Sequence, residues 1–216
     1  MKKAIEILLV LAVLVWAGNG AWAGNLEPGA APAPTMHTLD EIYSKLNGLS
    51  NNYGVGVPKT GQTTSYAAGD DGDLEPGVAW PNPRFTDNGD GTVTDNLTGL
   101  IWLKNADPCG GKQWADAVAW CSALASGTAG LTDGSVAGAW HLPTITELNS
   151  LVDFSKYNPC LSAGHPFTAQ QSSLYWSSTT YAYNTSSAWG VLFYSGSDGY
   201  SSKGSSGYVR AVRGGQ

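Results

Sequence analysis

The apolar residues between positions 172 and 216 occur in short runs rich in aromatic and β-branched side chains, separated by clusters of Ser, Gly, Asn and Asp. This pattern predicts short antiparallel strands joined by turns, at residues 172–181, 188–194 and 207–213. Side chains alternate between the two faces of a strand, so Trp189, Val191 and Phe193 are expected to point into the core.

Two earlier segments have the spacing of helices. In residues 112–125 an apolar stripe on one face consists of Trp114, Ala117, Val118, Cys121 and Leu124. After Pro143, Thr144 and Glu147 form a capping box that predicts a second helix. The core-facing residues of this helix are Ile145, Leu148, Leu151 and Val152.

A β-hairpin is predicted at residues 84–95, because Asn88-Gly89-Asp90-Gly91 supplies the positive φ angles of a tight turn. The expected fold class is α+β, with both helices on one side of a mixed but mostly antiparallel sheet built largely from residues 172–213. The N- and C-terminal strands of the domain are expected to lie close together. Four tryptophans are expected to be buried: Trp102, Trp140, Trp176 and Trp189.

Residues 1–23 have the pattern of a secretory signal peptide, in which two lysines precede an apolar run and Ala21-Trp22-Ala23 forms a cleavage site. The alternative is an uncleaved membrane anchor. The prediction is an exported protein of the periplasm, cell surface or extracellular space. Its contact with a membrane is then made only through the signal peptide, before cleavage.

Residues 24–83 are predicted to form a flexible terminus, a short helix at 38–49 and an extended linker, ahead of one domain at 84–216. Thr38 and Glu41 supply a capping box for the short helix. A helix of this length is marginal alone. It is therefore expected to dock on its own domain or to associate with another copy in a homo-oligomer.

The chain carries 11 Lys and Arg against 17 Asp and Glu, a formal net charge of −6 at pH 7. It has no cluster of basic residues, which argues against nucleic acid as a partner. The same balance disfavours strongly sulfated polysaccharides as ligands.

Three cysteines in an exported chain suggest one disulfide and one remaining thiol. Cys109 precedes the first predicted helix and Cys121 lies within it, so a Cys109–Cys121 disulfide is predicted. Cys121–Cys160 is the alternative, and the Cα separations decide between the two pairs.

No catalytic site and no resident cofactor are predicted. His141 and His165 have no Cys or Ser beside them in a nucleophile context. Ca²⁺ is the one cofactor considered, because acidic residues are densest at Asp70, Asp71, Asp73 and Glu75. A solvated acidic turn is the preferred interpretation of that cluster. The hairpin has the Asp87–Asp95 spacing of a calcium loop but lacks side-chain oxygens at Gly89 and Gly91.

Four stretches of the chain have a recognisable order: residues 84–105, Trp-His-Leu-Pro-Thr-Ile-Thr-Glu-Leu at 140–148, Tyr-Trp-Ser-Ser-Thr-Thr at 175–180, and Tyr-Val-Arg-Ala-Val-Arg-Gly-Gly at 208–215. Together they resemble the Lcl C-terminal domain family, named after the C-terminal domain of a collagen-like adhesin. The resemblance implies a C-type-lectin-like fold and an exported, surface-facing role that is often adhesive. It implies no reaction, and His141 stands where the family usually has Arg.

The turns between the C-terminal strands are rich in Tyr, Ser, Gly and Asn, the composition of binding loops. Surface turns without a ligand are the alternative. The predicted ligand-binding residues are Tyr181, Tyr183, Asn184, Tyr194, Asp198, Tyr200 and Lys203. The predicted function is therefore a secreted or cell-surface binding module for an extracellular glycan or protein ligand. The alternative functions are a structural subunit of an envelope assembly and a lectin-fold enzyme. The loop composition also permits diversification by a retroelement.

Overall fold

The structure is a computed structural model that describes residues 56–214, so the predicted signal peptide and the helix at 38–49 lie outside the described residues. The described part is α+β, as expected. Its helices are α1 (Asp71–Leu74), α2 (Trp114–Ala123) and α3 (Ile145–Asn149). Its strands are β1 (Phe85–Asp87), β2 (Thr92–Asp95), β3 (Leu100–Leu103), β4 (Leu174–Thr180), β5 (Ser187–Leu192), β6 (Ser197–Ser202) and β7 (Val212–Gly214).

The strands form two sheets, one of order β1-β2-β3-β7 and one of order β4-β5-β6. Every pair of neighbouring strands in residues 56–214 is antiparallel. The expectation of one sheet built largely from residues 172–213 was wrong. The last strand, β7, does not join β4, β5 and β6, which precede it in the chain. It pairs instead with β3, where Trp102 lies opposite Val212. This pairing brings the last strand into the sheet of β1, β2 and β3, so the N- and C-terminal strands lie close together as expected, although β2 and β3 separate β1 from β7.

The two longer helices lie against opposite faces of the three-stranded sheet. Tyr175 and Trp176 are consecutive in β4, so their side chains point to opposite faces. Tyr175 packs in a core cluster with Leu148 of α3, whereas Trp176 packs in a second cluster with Ala117 of α2. The expectation of both helices on one side was therefore wrong. The physical reason is that β4 and β5 are apolar on both faces and need cover on each.

Three of the four tryptophans, Trp102, Trp140 and Trp176, are almost completely buried. Trp189 is only half-buried. It lies on the same face of β5 as the fully buried Val191 but nearer the start of the strand, where the rings of Tyr181 and Tyr200 contact it. Two of the three residues expected to point inward from this strand, Val191 and Phe193, do reach the core.

Arg210 lies in the core although it has no carboxylate beside it among the ion pairs of residues 56–214. Its guanidinium carbon is 4.3 Å from the ring centre of Phe167, and 5.5 and 5.6 Å from those of Phe193 and Tyr175. Its Nη2 donates a hydrogen bond to Oε1 of Gln170. Burial lowers the pKa of Arg210 to about 10, so the side chain remains charged at neutral pH. The negative faces of the rings stabilise this cation in place of a carboxylate.

Residues 56–83 belong to the same compact unit as the rest of the described chain. The backbone N–H of Phe154 donates to the carbonyl of Thr60. The guanidinium carbon of Arg84 lies 4.1 Å from the ring centre of Trp80. Gly72 of α1 packs against the Thr64 backbone so closely that a Cβ there would collide with it. The end of the segment predicted as a linker is thus packed against the domain.

The close packing of β4 on β5 makes Gly190 sensitive to substitution. A Cβ at this position would lie 2.4 Å from the carbonyl oxygen of Tyr175. We expect Gly190→Ala to lower the free energy of unfolding by about 1–3 kcal/mol, as overpacking does in other cores. Gly199→Ala is the matched control, because Gly199 lies opposite Gly190 on β6 and a Cβ there has no atom within 4 Å. Chemical denaturation measures both, and an equal loss of stability in the two variants would contradict this packing.

Candidate ligand-binding surface

An aromatic cluster lies at one end of the three-stranded sheet. It consists of Tyr181, Tyr183, Trp189 and Tyr200, and we call it the tyrosine cluster. The rings of Tyr181 and Tyr200 stack with their centres 4.2 Å apart and their planes at 16°. The Trp189 ring meets Tyr181 edge-on at 5.0 Å and Tyr200 at 6.0 Å. The ring of Tyr183 adds an outer contact, 6.1 Å from Tyr181. Edge-to-face and offset-stacked rings of this kind attract one another beyond their buried area.

Strand pairing and one turn build this cluster. Trp189 and Tyr200 are direct partners across β5 and β6, so their side chains share one face of the sheet. Tyr181 follows β4 and begins the turn that leads into β5. Its N–H donates to the carbonyl of Ser187, and its own carbonyl accepts from the N–H of Asn184. The Asn184 side-chain oxygen accepts from the Ser186 N–H at 3.1 Å, as in an Asx turn. The turn therefore holds the Tyr181 ring over Trp189.

The cluster presents aromatic area to solvent. Tyr183 is 90% exposed and Tyr200 57% exposed. Tyr181 and Trp189 are half-buried beneath them. Asp198 is exposed on the same face as Tyr200, two residues earlier in β6. This arrangement can stack on a flat apolar group while hydroxyls and one carboxylate form hydrogen bonds at its edge.

Two of the residues predicted from the sequence do not join this cluster. Lys203 is three residues after Tyr200, and side chains alternate between the two faces of a strand, so Lys203 points to the other face of the sheet. Its Nζ donates to Oγ1 of Thr180 at 2.9 Å and lies 4.1 Å from the ring centre of Trp114 in α2. Tyr194 lies in the turn between β5 and β6, at the far end of this hairpin from the cluster. The carbonyl of Tyr194 accepts from the Asn158 N–H.

Trp189 is the member of the cluster that sequence reasoning assigned only to the core. The alternation of apolar residues along 188–194 correctly describes which face of the strand it occupies. Alternation does not show how far along the strand the core extends. A signal was available in the hairpin spacing, since pairing of 187–192 with 197–202 puts Trp189 opposite Tyr200.

The predicted Cys109–Cys121 disulfide is not present in the structure, and all three thiols are free. Cys109 is half-buried with its Sγ facing the carbonyl of Gly110. Cys121 is fully buried in α2, and its Sγ faces the carbonyl of Arg210. The alternative partner Cys160 belongs to the other core cluster, with Leu148 and Phe193. Cys109 packs against the core cluster that contains Cys121, whereas Cys160 lies in the other cluster.

The acidic residues near α1 serve local backbone geometry. Asp70 caps this helix by accepting from the Asp73 N–H. The N–H groups of Tyr66 and then Ala67 hold the pKa of Asp70 below its usual value. Oδ2 of Asp73 accepts from the Gly69 N–H at 2.8 Å. Within residues 56–214, no group of three or more His, Cys, Asp or Glu side chains is arranged to hold a metal ion.

The acidic residues of the hairpin also have local partners. Asp95 is buried and accepts from the Leu97 N–H and the Thr98 hydroxyl. Asp87 accepts from Lys104 Nζ at 2.6 Å, and this contact lowers the pKa of the carboxyl group. These contacts agree with the interpretation of the hairpin as a turn motif.

A profile of the Lcl C-terminal domain matches residues 91–213, which contain both core clusters almost completely and the whole tyrosine cluster. The chain belongs to the Lcl C-terminal domain family. This confirms the resemblance drawn from the four sequence stretches. No curated protein matches the sequence. None of the helices within residues 56–214 has both the length and the apolar character required to cross a bilayer.

The state of the cysteines is testable by thiol titration. Burial raises the pKa of Cys109, raises that of Cys160 to about 11 and raises that of Cys121 further. All three should thus react slowly with a thiolate-selective reagent at pH 8 in the folded protein. After unfolding without a reductant, we expect three reactive thiols per chain. A single reactive thiol would show that a disulfide has formed.

The tyrosine cluster predicts different effects for two neighbouring tyrosines. Tyr181→Ala removes the rings' contacts with Tyr200 and Trp189, so the free energy of unfolding should fall by about 0.5–1.5 kcal/mol for each aromatic pair lost. Tyr183→Ala removes only an exposed outer ring and should change it by less than about 0.5 kcal/mol. Denaturant titration followed by far-UV circular dichroism compares them. If the two variants lose equal stability, the stacked arrangement does not exist in solution.

Proposed function

We propose that this protein is an exported, non-catalytic binding module that holds a glycan or protein ligand on its tyrosine cluster. The observation that carries the proposal is the stacking of Tyr181 on Tyr200 beside Trp189, with the Tyr183 ring exposed above them. Membership of a family named after the C-terminal domain of an adhesin supports the same function. The C-type-lectin-like fold implied by the family resemblance is part of this proposal. The pairing of β3 with β7 supports it, since lectin-like domains close as a loop.

The rings are held in place before any ligand arrives. Strand pairing orients Trp189 and Tyr200, and the hydrogen-bonded turn at 181–187 orients Tyr181. A side chain that is already ordered loses little further entropy when it binds. Tyrosine also has few rotatable bonds for its contact area. Affinity can therefore arise from a few rings without a deep cavity.

The chemistry of the cluster suits an uncharged face of the ligand. Aromatic rings stack on the apolar face of a sugar or fill a pocket on a protein, while tyrosine hydroxyls supply hydrogen bonds. Asp198 beside Tyr200 adds a carboxylate that accepts hydrogen bonds from hydroxyl or amide groups. Together with the net charge of −6, this carboxylate disfavours a polyanionic ligand.

Two observations favour binding over catalysis. The thiols of Cys121 and Cys160 are buried with raised pKa values, which opposes formation of a nucleophilic thiolate. His141 contacts Glu147 at 3.2 Å, and this carboxylate also accepts from the Thr144 N–H in the capping box. The pair thus has a structural role at the start of α3. The predicted leader at residues 1–23 would carry the module to the periplasm, the cell surface or the extracellular space.

A triple substitution with a matched control tests the site. Tyr181, Tyr183 and Tyr200 are changed to Ala together, and the control changes three exposed apolar or aromatic residues outside the cluster, Val136, Tyr157 and Tyr194. Both variants and the unchanged protein are applied to a glycan array and to a pull-down of cell-surface proteins. We expect the control to retain its ligand and the cluster variant to lose at least about fivefold in affinity, because one hot-spot ring contributes about 1–3 kcal/mol and 1 kcal/mol corresponds to about fivefold.

Circular dichroism first establishes that both variants are folded. Equal retention of a ligand by the cluster variant and the control would show that the cluster is not the binding site. If none of the proteins retains a ligand, the competing function, a structural subunit of an envelope assembly, is favoured instead.

A further inference from the structure

A cavity of about 410 Å³ lies between residues 59–80 and residues 153–162, in the part of the chain that precedes and borders the domain core. None of the residues of the tyrosine cluster lines it. The lining residues include an aromatic ring, two basic and two acidic side chains, and several hydroxyl or amide groups. Among them are Lys59, Glu75, Trp80, Asp153, Lys156 and Ser162.

Trp80 forms a fixed wall of this cavity. Its Nε1 donates to the carbonyl of Lys59 at 2.8 Å, which orients the indole ring. The guanidinium of Arg84 packs on the ring, 4.1 Å from its centre. Gly61 lets the chain approach this wall, because a Cβ there would lie 2.8 Å from the tip of the Trp80 ring and 2.5 Å from Oδ1 of Asp153. The wall is thus assembled before any ligand binds.

The polar groups of the cavity are balanced in charge. Lys59 and Glu75 form an ion pair at 2.9 Å, with both side chains partly exposed. Asp153 is buried, and its Oδ1 accepts from the N–H and the hydroxyl of Ser155 at 2.9 and 2.6 Å. Lys156 provides a second cation, so two cations face two carboxylates. A polyanion or a polycation would meet as much repulsion as attraction here.

One lining group has an unused hydrogen-bonding capacity. The hydroxyl oxygen of Ser162 is buried and has no hydrogen-bond partner within the described residues. A buried hydroxyl without a partner is unfavourable, and rotation of the Ser162 side chain toward the cavity would let a ligand hydroxyl supply the missing bond. The neighbouring cavity of about 140 Å³ shares four lining residues with this one, Gln62, Thr63, Ser155 and Lys156. The two cavities therefore lie side by side, and together we call them the groove.

We propose that this groove binds an uncharged saccharide of more than one sugar unit, with one ring stacked on Trp80. The apolar face of a sugar ring matches an indole wall, and its hydroxyls both donate and accept as the surrounding carboxylates, amines and amides require. The volume of 410 Å³ falls within the range of about 300–1,000 Å³ that is usual for small-ligand sites. The groove is a second site, independent of the proposed ligand site on the tyrosine cluster.

Ligand-observed saturation-transfer NMR on the full chain tests the proposal. The probes are four uncharged disaccharides, cellobiose, lactose, maltose and N,N′-diacetylchitobiose, with sialyllactose as a charged comparison. At least one uncharged probe should receive saturation, most strongly at the protons of a sugar's apolar face. Stronger binding of sialyllactose than of every uncharged probe, or no saturation of any probe, would overturn the proposal.

Ala79→Phe fills the cavity without removing a side-chain hydrogen bond, because Ala79 is exposed and lines it. We expect this variant to lose at least about tenfold in affinity. Ala68→Phe is the matched control, since Ala68 is exposed in the same segment but does not line either cavity. Lys156→Ala, at an exposed lining position, gives a second test with a smaller, several-fold loss that does not depend on how the new ring packs.

The triple tyrosine variant separates this site from the tyrosine cluster. It should bind the disaccharide as the unchanged protein does, whereas Ala79→Phe should not. If the tyrosine variant loses the disaccharide and Ala79→Phe keeps it, the saccharide binds the tyrosine cluster and the groove proposal is wrong. Unchanged binding in Ala79→Phe, Lys156→Ala and Ala68→Phe together would overturn it equally.

Discussion

The backbone of residues 207–213 forms hydrogen bonds with both sheets and with the segments just before both longer helices. Its first residue exchanges two hydrogen bonds with Lys112, just before α2, and the next residue bonds to β4 in the three-stranded sheet. Its carbonyl at Ala211 then accepts from Leu103 in the four-stranded sheet, and Val212 exchanges two bonds with His141. Both sheets and the approaches to both longer helices are thus positioned by one extended segment, because each of its residues offers a donor and an acceptor that burial requires to be paired.

The same segment carries the cation at the centre of one core cluster. Arg210 is surrounded by Phe167, Tyr175 and Phe193, and Gln170 accepts one of its hydrogen bonds. Removing a guanidinium from water is costly, and it is tolerated here because several ring faces surround it at once. Since those rings come from different strands and loops, the charge is stabilised only when the whole cluster is assembled. Burial of Arg210 is therefore linked to the correct docking of the final segment.

The two proposed sites depend on this scaffold in different ways. The tyrosine cluster is built on paired strands, so its geometry follows from the register of β5 and β6. The groove is built where the segment before the domain crosses a loop, and it depends on the close approach that Gly61 allows. One is a raised aromatic surface and the other is a recess with mixed polar walls. A module with both could hold a large partner at the surface and a small saccharide in the groove.

β6 lies at Ser197–Ser202, where turns were predicted instead of a strand. The sequence alone predicted the fold class, the family, the hairpin, the capping box of α3 and the strands β4 and β5. These features depend on local periodicity and turn chemistry, which neighbouring residues specify. It also predicted the three tyrosines of the tyrosine cluster, Tyr181, Tyr183 and Tyr200, as ligand-binding residues. The tertiary structure alone decided that β7 pairs with β3, that α2 and α3 cover opposite faces, and that Lys203 and Tyr194 lie away from Tyr200. It also decided the buried place of Arg210 and the groove beside Trp80. These depend on contacts between residues far apart in the chain, for which a single sequence carries no local signal.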